Sequence, residues 1–266
     1  QLIFNLAVRG MLVPQDPKEE AAVELLKRIS KEKERVGKKN KNRKNNHLHP
    51  ITQKNESSTL PSNWEWCRLE QIGISSTGKT PKTSIKSNFG GKTQFIGPGE
   101  ITQTGEILES QKTLTNEGLH QSTEAFPGSI LMVCIGGSIG KSAIVHKPIA
   151  FNQQINCLQP IDIKSEYLNA VFSSDRFKIE LMENATGSAT PIINRSKWEK
   201  LLVPIPPLAE QGRIISKMNQ LISLCDQLEQ EQQSNIETHN TLVTSLLNAL
   251  SSSTENANQF AESWQL

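Results

Sequence analysis

Residues 206–250 read PPLAEQGRIISKMNQLISLCDQLEQEQQSNIETHNTLVTSLLNAL. Pro207 suits a first helical turn, where its missing N–H costs nothing. Beyond it the stretch has no Pro, and no Gly after Gly212. Apolar or semi-apolar residues recur at alternating steps of four and three: Ile214, Met218, Leu221, Cys225 and Leu228. The same register passes through Gln232, Asn235 and His239 and returns at Leu242 and Leu246. This predicts a long helix with a coiled-coil seam and a polar middle. At 1.5 Å per residue it spans about 65 Å, more than a small globular fold needs. It reads as a spacer that pairs with another helix, the polar seam positions setting register at some cost in stability. The plainer alternative is a long helix packed on its own domain.

The chain has 266 residues, enough for one large or two small domains with a real core. Its aromatic content of 5% and charged content of 21% suit a soluble, somewhat polar protein. The longest apolar run, Ile130 to Ile135, is far too short to cross a bilayer, and no N-terminal signal pattern is visible. Cys67, Cys134, Cys157 and Cys225 are scattered without a CxxC pair. That pattern argues against a disulfide framework or a zinc site and makes a reducing cytoplasm the default. The net charge of +2 is unevenly spread. Lys27 to Lys44 is dense in Lys and Arg, relieved only by Glu32 and Glu34. After Lys217 there is no Lys or Arg, while Asp226, Glu229, Glu231, Glu237, Glu255 and Glu262 remain. A basic half and an acidic tail suggest a polyanion contact at one end and a protein contact at the other; a merely solvated charge run is the plainer reading.

Outward from the helix, the rest falls into three parts. Leu2 to Arg9 has an apolar helical face, with Gly10 suited to the turn beyond it. Asp16 is placed to N-cap a second helix with Pro17 as its first residue and Glu19 as the capping-box partner. That helix runs through Ala22, Leu25, Leu26 and Ile29 and fades near Gly37. Residues 38–59 are poor in apolar residues and rich in Lys, Asn and Ser, as a flexible basic linker is. Leu60 then opens a domain that ends near Pro206, with Trp64 and Trp66 as early core anchors. Its expected strands are Thr93–Ile96, Glu106–Leu108, Ser129–Ile135, Ser142–His146 and Gln154–Pro160, bounded by Gly and Pro. A helical stretch follows from Ser165 to near Gly187, then a Gly/Ser/Thr loop, Trp198 and the Val203–Pro207 strap.

Gly73–Thr80 (GISSTGKT) satisfies the Walker A spacing. A phosphate-binding loop needs a buried strand before it and a long helix after it. Here Arg68, Glu70 and Gln71 precede it and Pro81 to Gly91 offers no helical apolar face, so a nucleotide hydrolase is the rival reading and not the preferred one. Phe95-Ile96-Gly97-Pro98-Gly99 matches a short methyltransferase pattern, but the Asn/Asp-Pro-Pro-aromatic tetrapeptide that holds a flipped adenine is missing from the chain. His47 and His49 lie in the linker and no His/Cys cluster has metal-ligand spacing. What recurs is a set of Gly-rich loops with Lys, Arg, Ser, Thr, Asn and Gln: Thr77–Asn88, Gly90–Lys92, Gly136–Ser142, Asn152–Gln154 and Gly187–Arg195. These side chains donate to phosphates and read base edges, although polar loops are also what ordinary surfaces carry.

These residues, taken in order, resemble the specificity subunits of type I restriction–modification enzymes. The likeness covers nearly the whole chain. It is carried by Leu6-Ala7-Val8-Arg9-Gly10 with Leu12-Val13-Pro14-Gln15 and Glu24-Leu25-Leu26. It continues through Leu60-Pro61, Trp64-Glu65-Trp66 and Arg68-Leu69, then Gly78, Thr80-Pro81, Gly90-Gly91, Gly97 and Gly99-Glu100. Gly136, Gly140-Lys141 and Asn152-Gln153 follow. Ile205-Pro206-Pro207-Leu208 with Glu210-Gln211 and Arg213-Ile214, then Cys225-Asp226-Gln227-Leu228-Glu229, looks like the opening of a spacer helix. The resemblance implies a non-catalytic DNA reader in which one recognition domain reads half of a split target and paired helices set the gap. It assigns methylation and cleavage to partner methyltransferase and restriction subunits. A usual specificity subunit has two recognition domains; one is complete here, so the chain is expected to be a fragment or a half-subunit that self-associates through the coiled coil.

The expectation is therefore an α+β target recognition domain of mixed strands and short helices over 60–206. A helical arm (1–37) and the linker (38–59) precede it, and a coiled-coil helix with its tail (207–266) follows. No cofactor, metal or membrane is expected, and double-stranded DNA and the two partner subunits are. The candidate reading surface is Lys79, Thr80, Lys82, Lys86, Lys92, Ser138, Lys141, Asn152, Gln153, Gln154, Ser188, Thr190, Asn194 and Arg195. A scaffold that binds DNA without sequence preference is a further alternative.

Overall fold

The computed structural model describes residues 1–39 and 60–263. In chain order the elements are α1 (Leu2–Ala7), α2 (Ala22–Lys39), β1 (Glu65–Arg68), α3 (Leu69–Ile72), β2 (Gly73–Thr77), β3 (Phe89–Ile96) and β4 (Thr113–Leu114). Then come α4 (Asn116–His120), β5 (Thr123–Ala125), β6 (Ile130–Val133), β7 (Ser142–Ile144), β8 (Ile149–Phe151) and β9 (Ile155–Pro160). The last are α5 (Ser165–Ser173), α6 (Asp175–Asn184), α7 (Arg195–Trp198), β10 (Leu202–Ile205) and α8 (Leu208–Ser263). The linker expected over 38–59 lies, from residue 40 on, outside the described residues.

Three sheets form. β1 pairs with β10; an antiparallel sheet runs β2-β9-β6-β7; a mixed sheet runs β4-β3-β8-β5, with β3 and β8 parallel. The run Ile130–Val133 is apolar throughout because β6 is covered on both faces. Ile130 and Met132 join a core with Trp64, Leu158, Tyr167, Phe172 and Trp198 under the helices. Leu131 and Val133 join a second core with Ile96, Phe151, Ile155 and Cys157. Ala7, Leu25 and Ile29 from α1 and α2 are fully buried in the first of these cores. The chain divides into two compact units, Gln1–Met218 and the helix from Asn219 onward.

Several expectations change. Gly73–Thr77 is not a phosphate loop. It is a strand in antiparallel register with Pro160–Asn156, Gly73 is fully extended, and no α-helix follows Thr80 before β3. Glu106–Leu108 makes only the single bridge Ile101↔Ile107, because Thr102 and Gly105 turn the chain too tightly for a strand. Asp16 caps no helix. Its carboxylate accepts from Lys18 N at 2.9 Å in a local turn, Glu19 pairs with Arg213, and α2 begins only at Ala22. The helical stretch after Ser165 breaks in two at Ser174. That residue is extended, donates to Val171 O (2.6 Å) and accepts from Phe177 N (3.4 Å), and Phe172 stacks on Phe177 across the break. Trp64 is a core anchor, but Trp66 is only half-buried, with the Arg176 guanidinium 3.9 Å above its ring. Of the predicted seam, Ile214 and Met218 are buried in the domain core, while Leu228, Leu242 and Leu246 are exposed.

The foot of α8 is joined to the domain by Glu210. Its carboxylate accepts from Trp64 Nε1 (2.9 Å) and Gln15 Nε2 (2.6 Å), while one turn on Arg213 donates to Glu19 and to Pro14 O. Burial pushes the Glu210 carboxyl above the usual carboxylate range, against the pull of those two donors. The folded chain therefore holds this proton to higher pH than the unfolded chain. The stabilisation is complete below the unfolded value and diminishes as pH rises through the raised one. Glu210→Ala leaves the Trp64 N–H buried without an acceptor, so a loss of ~1–3 kcal/mol is expected in urea unfolding, larger at pH 4 than at pH 7.

Candidate nucleic-acid interface

Antiparallel pairing brings four chain segments to one end of the β2-β9-β6-β7 sheet. Thr77 at the end of β2 stands opposite Asn156, Val133 at the end of β6 opposite Ile155, and Met132 opposite Ser142 at the start of β7. The parallel pair β3–β8 ends at the same edge, with Ile96 beside Phe151 and Asn152 N bonded to Ile96 O at 3.0 Å. The turns that leave this edge are the Gly-rich loops.

The first cluster joins 78–80, 97–100 and 152–154. Gly78 N donates to Ile155 O (3.1 Å) and Lys79 N to Phe151 O (3.0 Å). A Cβ on Gly78 would collide with the carbonyls of Phe151 and Asn152, so only glycine permits this approach. Thr80 Oγ1 donates to Gln153 Oε1 at 2.6 Å. Asn152 and Gln154 lock each other: Gln154 N donates to Asn152 Oδ1 (3.0 Å) and Asn152 Nδ2 to Gln154 Oε1 (3.2 Å). Glu100 closes its own loop by accepting from Gly97 N at 2.8 Å. Lys79 and Gln153 are exposed.

The second cluster joins 134–141 to 186–195. Gly136 N donates to Pro191 O (2.8 Å), and Thr186 and Ile192 exchange both backbone bonds, so Ser188 and Thr190 sit on a loop tied to the turn that carries Ser138 and Lys141. Cys134 links the clusters, donating N–H to Gln154 O (2.8 Å) and accepting from Ile193 N (3.0 Å). Its thiol is pushed by burial up to about 12, and that of Cys157 up to about 11, so neither is a nucleophile at neutral pH. Among the described residues no group of three or more His, Cys, Asp or Glu could hold a metal ion.

Of the fourteen predicted residues, the structure brings Lys79, Thr80, Asn152, Gln153 and Gln154 together and sets Ser138, Lys141, Ser188 and Thr190 beside them. Lys82, Lys86 and Lys92 stand apart, exposed on the flank formed by β3, β4 and α4. There the buried Asn88 is pinned by donating to Lys82 O and accepting from Gln121 Nε2. Asn194 caps α7, its Oδ1 accepting from Lys197 N at 2.9 Å, and Arg195 pairs with Glu199. Sequence reasoning missed Ser122, whose hydroxyl donates to Lys79 O (2.6 Å), and also Ser75 and Glu199; neither spacing nor composition marks them.

Among the described residues three small sheets, a helical arm in the core and a long C-terminal helix define an α+β fold with polar loops gathered at one sheet edge. The chain belongs to the type I restriction–modification specificity family: residues 61–238 match the type I restriction modification DNA specificity domain. It is 34% identical, over 281 aligned positions, to the Escherichia coli type I restriction enzyme EcoAI specificity subunit, covering 99% of this chain and 46% of that protein. It is 33% identical to the E. coli EcoEI specificity subunit, covering 99% and 45%. The crystal structure of the HsdS subunit from Thermoanaerobacter tengcongensis shares the fold, with a TM-score of 0.52 and 20% identity over 66% of this chain and 42% of that one. The chain thus spans just under half the length of the curated relatives it matches.

The Gly78 contact is testable. Gly78→Ala forces the β2 and β8–β9 ends apart and is expected to destabilise the chain by ~1–3 kcal/mol through overpacking. Urea unfolding reads that loss, and faster amide exchange at Lys79 reads its location.

Proposed function

We propose that this chain is the sequence-reading part of a type I restriction–modification complex. Its loop edge binds one half of a split double-stranded DNA target, and it catalyses nothing itself. The observation that carries this reading is the meeting of Lys79, Gln153, Ser138, Lys141, Ser188 and Thr190 at one sheet edge in a member of the specificity family. Lysine gives charge to phosphates and amides give paired donors and acceptors to base edges. In this reading residues 60–206 form the recognition domain, 1–37 the arm that completes its core and 207–266 the spacer. The exposed Lys82, Lys86 and Lys92 serve as sequence-blind phosphate contacts on the flank. The complex works in the cytoplasm, where the DNA is; among the described residues no helix is long and apolar enough to cross a membrane.

The spacer is the proposed docking element for the methyltransferase and restriction subunits, and for a second copy or a second half of the same kind. Leu224, Leu228, Ile236, Leu242, Val243, Leu246 and Leu247 are all exposed on α8. Covering the apolar surface they still expose gains roughly 25 cal/mol per Å², the usual driving force for pairing two helices.

The purified chain, with and without a cognate methyltransferase subunit, is expected to enrich a short motif from a randomised duplex pool. Lys141→Ala and Gln153→Ala are each expected to relax one position and to weaken binding by ~1–3 kcal/mol. Retention without any preference would leave only a DNA-binding scaffold. Charge reversal at Glu229 and Glu231 is expected to reduce co-purification of the methyltransferase subunit, and unchanged recovery would place that contact elsewhere.

A further inference from the structure

Arg195 is held unlike any other cation at the loop edge. Its Nε lies 3.1 Å from Glu199 Oε1, one helical turn on. Glu199 Oε1 also accepts from Ser75 Oγ in β2, and the Glu199 carbonyl accepts from Glu70 N at 2.9 Å. The short helix that begins at Arg195 and ends just before Glu199 is fixed in turn. Asn194 caps it, and Trp198 is fully buried with Nε1 3.1 Å from Met132 Sδ on β6. One end of this helix adjoins the loop edge, since Ile193 N donates to Cys134 O, and the other end adjoins Glu70 at the far side of β2. Arg195 stands at the end nearer the loops. Its side chain is about half exposed (46%) while that of Glu199 is mostly covered (21%). Its two Nη groups have no partner among the described residues.

We propose that Ser75 and Glu199 brace Arg195 as a rigid donor fork that reads the edge of a guanine in the target. A guanidinium tethered through Nε keeps two N–H groups in a fixed plane, and that fork matches the O6 and N7 acceptors of guanine in the major groove. The alternative acceptor is a phosphate. A phosphate contact draws on positive charge, and pairing with Glu199 offsets much of that charge while improving only the geometry. Bracing by a carboxylate therefore favours base reading over backbone attraction. Ser75 and Glu199 act through Arg195 and are positioning residues. This inference rests on the DNA-reading function proposed above.

The experiment is motif selection by the full chain from a randomised duplex pool, comparing wild type with Arg195→Ala, Arg195→Lys, Glu199→Gln and Ser75→Ala. In Arg195→Ala one guanine in the selected motif is expected to lose its preference by about fivefold or more, the other positions holding. Arg195→Lys, which keeps charge and leaves the core untouched, is expected to lose the same position because it has no fork. Glu199→Gln and Ser75→Ala are expected to relax that position alone. A merely structural role would instead lower affinity for all sequences in step with the melting temperature, and that result overturns the proposal. Uniform loss in Arg195→Ala with an unchanged motif makes Arg195 a phosphate contact and also overturns it, as does a motif unaffected by all four changes. If wild type selects no motif, the DNA-reading function itself fails, which is a separate outcome.

Discussion

A strand buried on both faces cannot slip its register by one residue without exchanging every side chain between two packed environments, and β6 is such a strand. Ile130 and Met132 fill the core beneath the helices; Leu131 and Val133 fill the core against the mixed sheet. β6 thereby fixes β9 and β7, β9 fixes β2, and the four strand ends meet at one edge. The loops beyond that edge inherit their positions from this frame. Lys141 sits near Gln154 because consecutive residues at the end of β6, Val133 and Cys134, bond one to each, and not because either loop selects the other.

The second constraint is polar. Trp64, Gln15 and Glu210 come from three distant parts of the chain and meet in one hydrogen-bonded group, Trp64 and Glu210 buried and Gln15 at the surface, with Tyr167 edge-on to Trp64 at 6.3 Å. Apolar packing alone would let the first turn of α8 rotate, since Leu208, Ile214 and Ile215 offer a broad face. A carboxylate that must satisfy two donors at once allows one rotation. Desolvation works against that carboxylate, so the group adds less to stability than to definition of the joint.

How far the sequence could be read followed from how local each signal is. The long helix is visible because its period is written in consecutive turns, and β6, β7 and β9 are visible as largely apolar runs broken by Gly, Pro or polar residues. β1 and β10 are not visible as partners, because Glu65 finds Ile205 across the whole domain and neither short strand alternates cleanly. The Walker spacing misleads for a related reason. Its glycines serve a strand end that presses on Gln159 and a loop that presses on Asn152, and close backbone approach demands glycine whether or not a phosphate is present. At the candidate interface, residue type pointed to the loops, but nothing local separates Lys79 at the edge from Lys92 on the flank. That distinction is made by pairing partners more than fifty residues away.

The same hydrogen bonds divide the polar loop residues into two kinds. Asn152, Gln154 and Asn194 turn carbonyl oxygens inward to hold turns and a helix end, so their chemistry serves the frame. Lys79 and Gln153 are exposed and Lys141 and Arg195 partly so, each held by its backbone or by one side-chain atom. Replacing one of the first kind moves a loop; replacing one of the second changes what a fixed loop offers. On the proposed function, a recognition domain built this way gains new targets by exchanging residues of the second kind. The glycines at 78 and 97 and the Asn152–Gln154 lock stay in place, because they set where a base edge would be met and carry no information about which base it is.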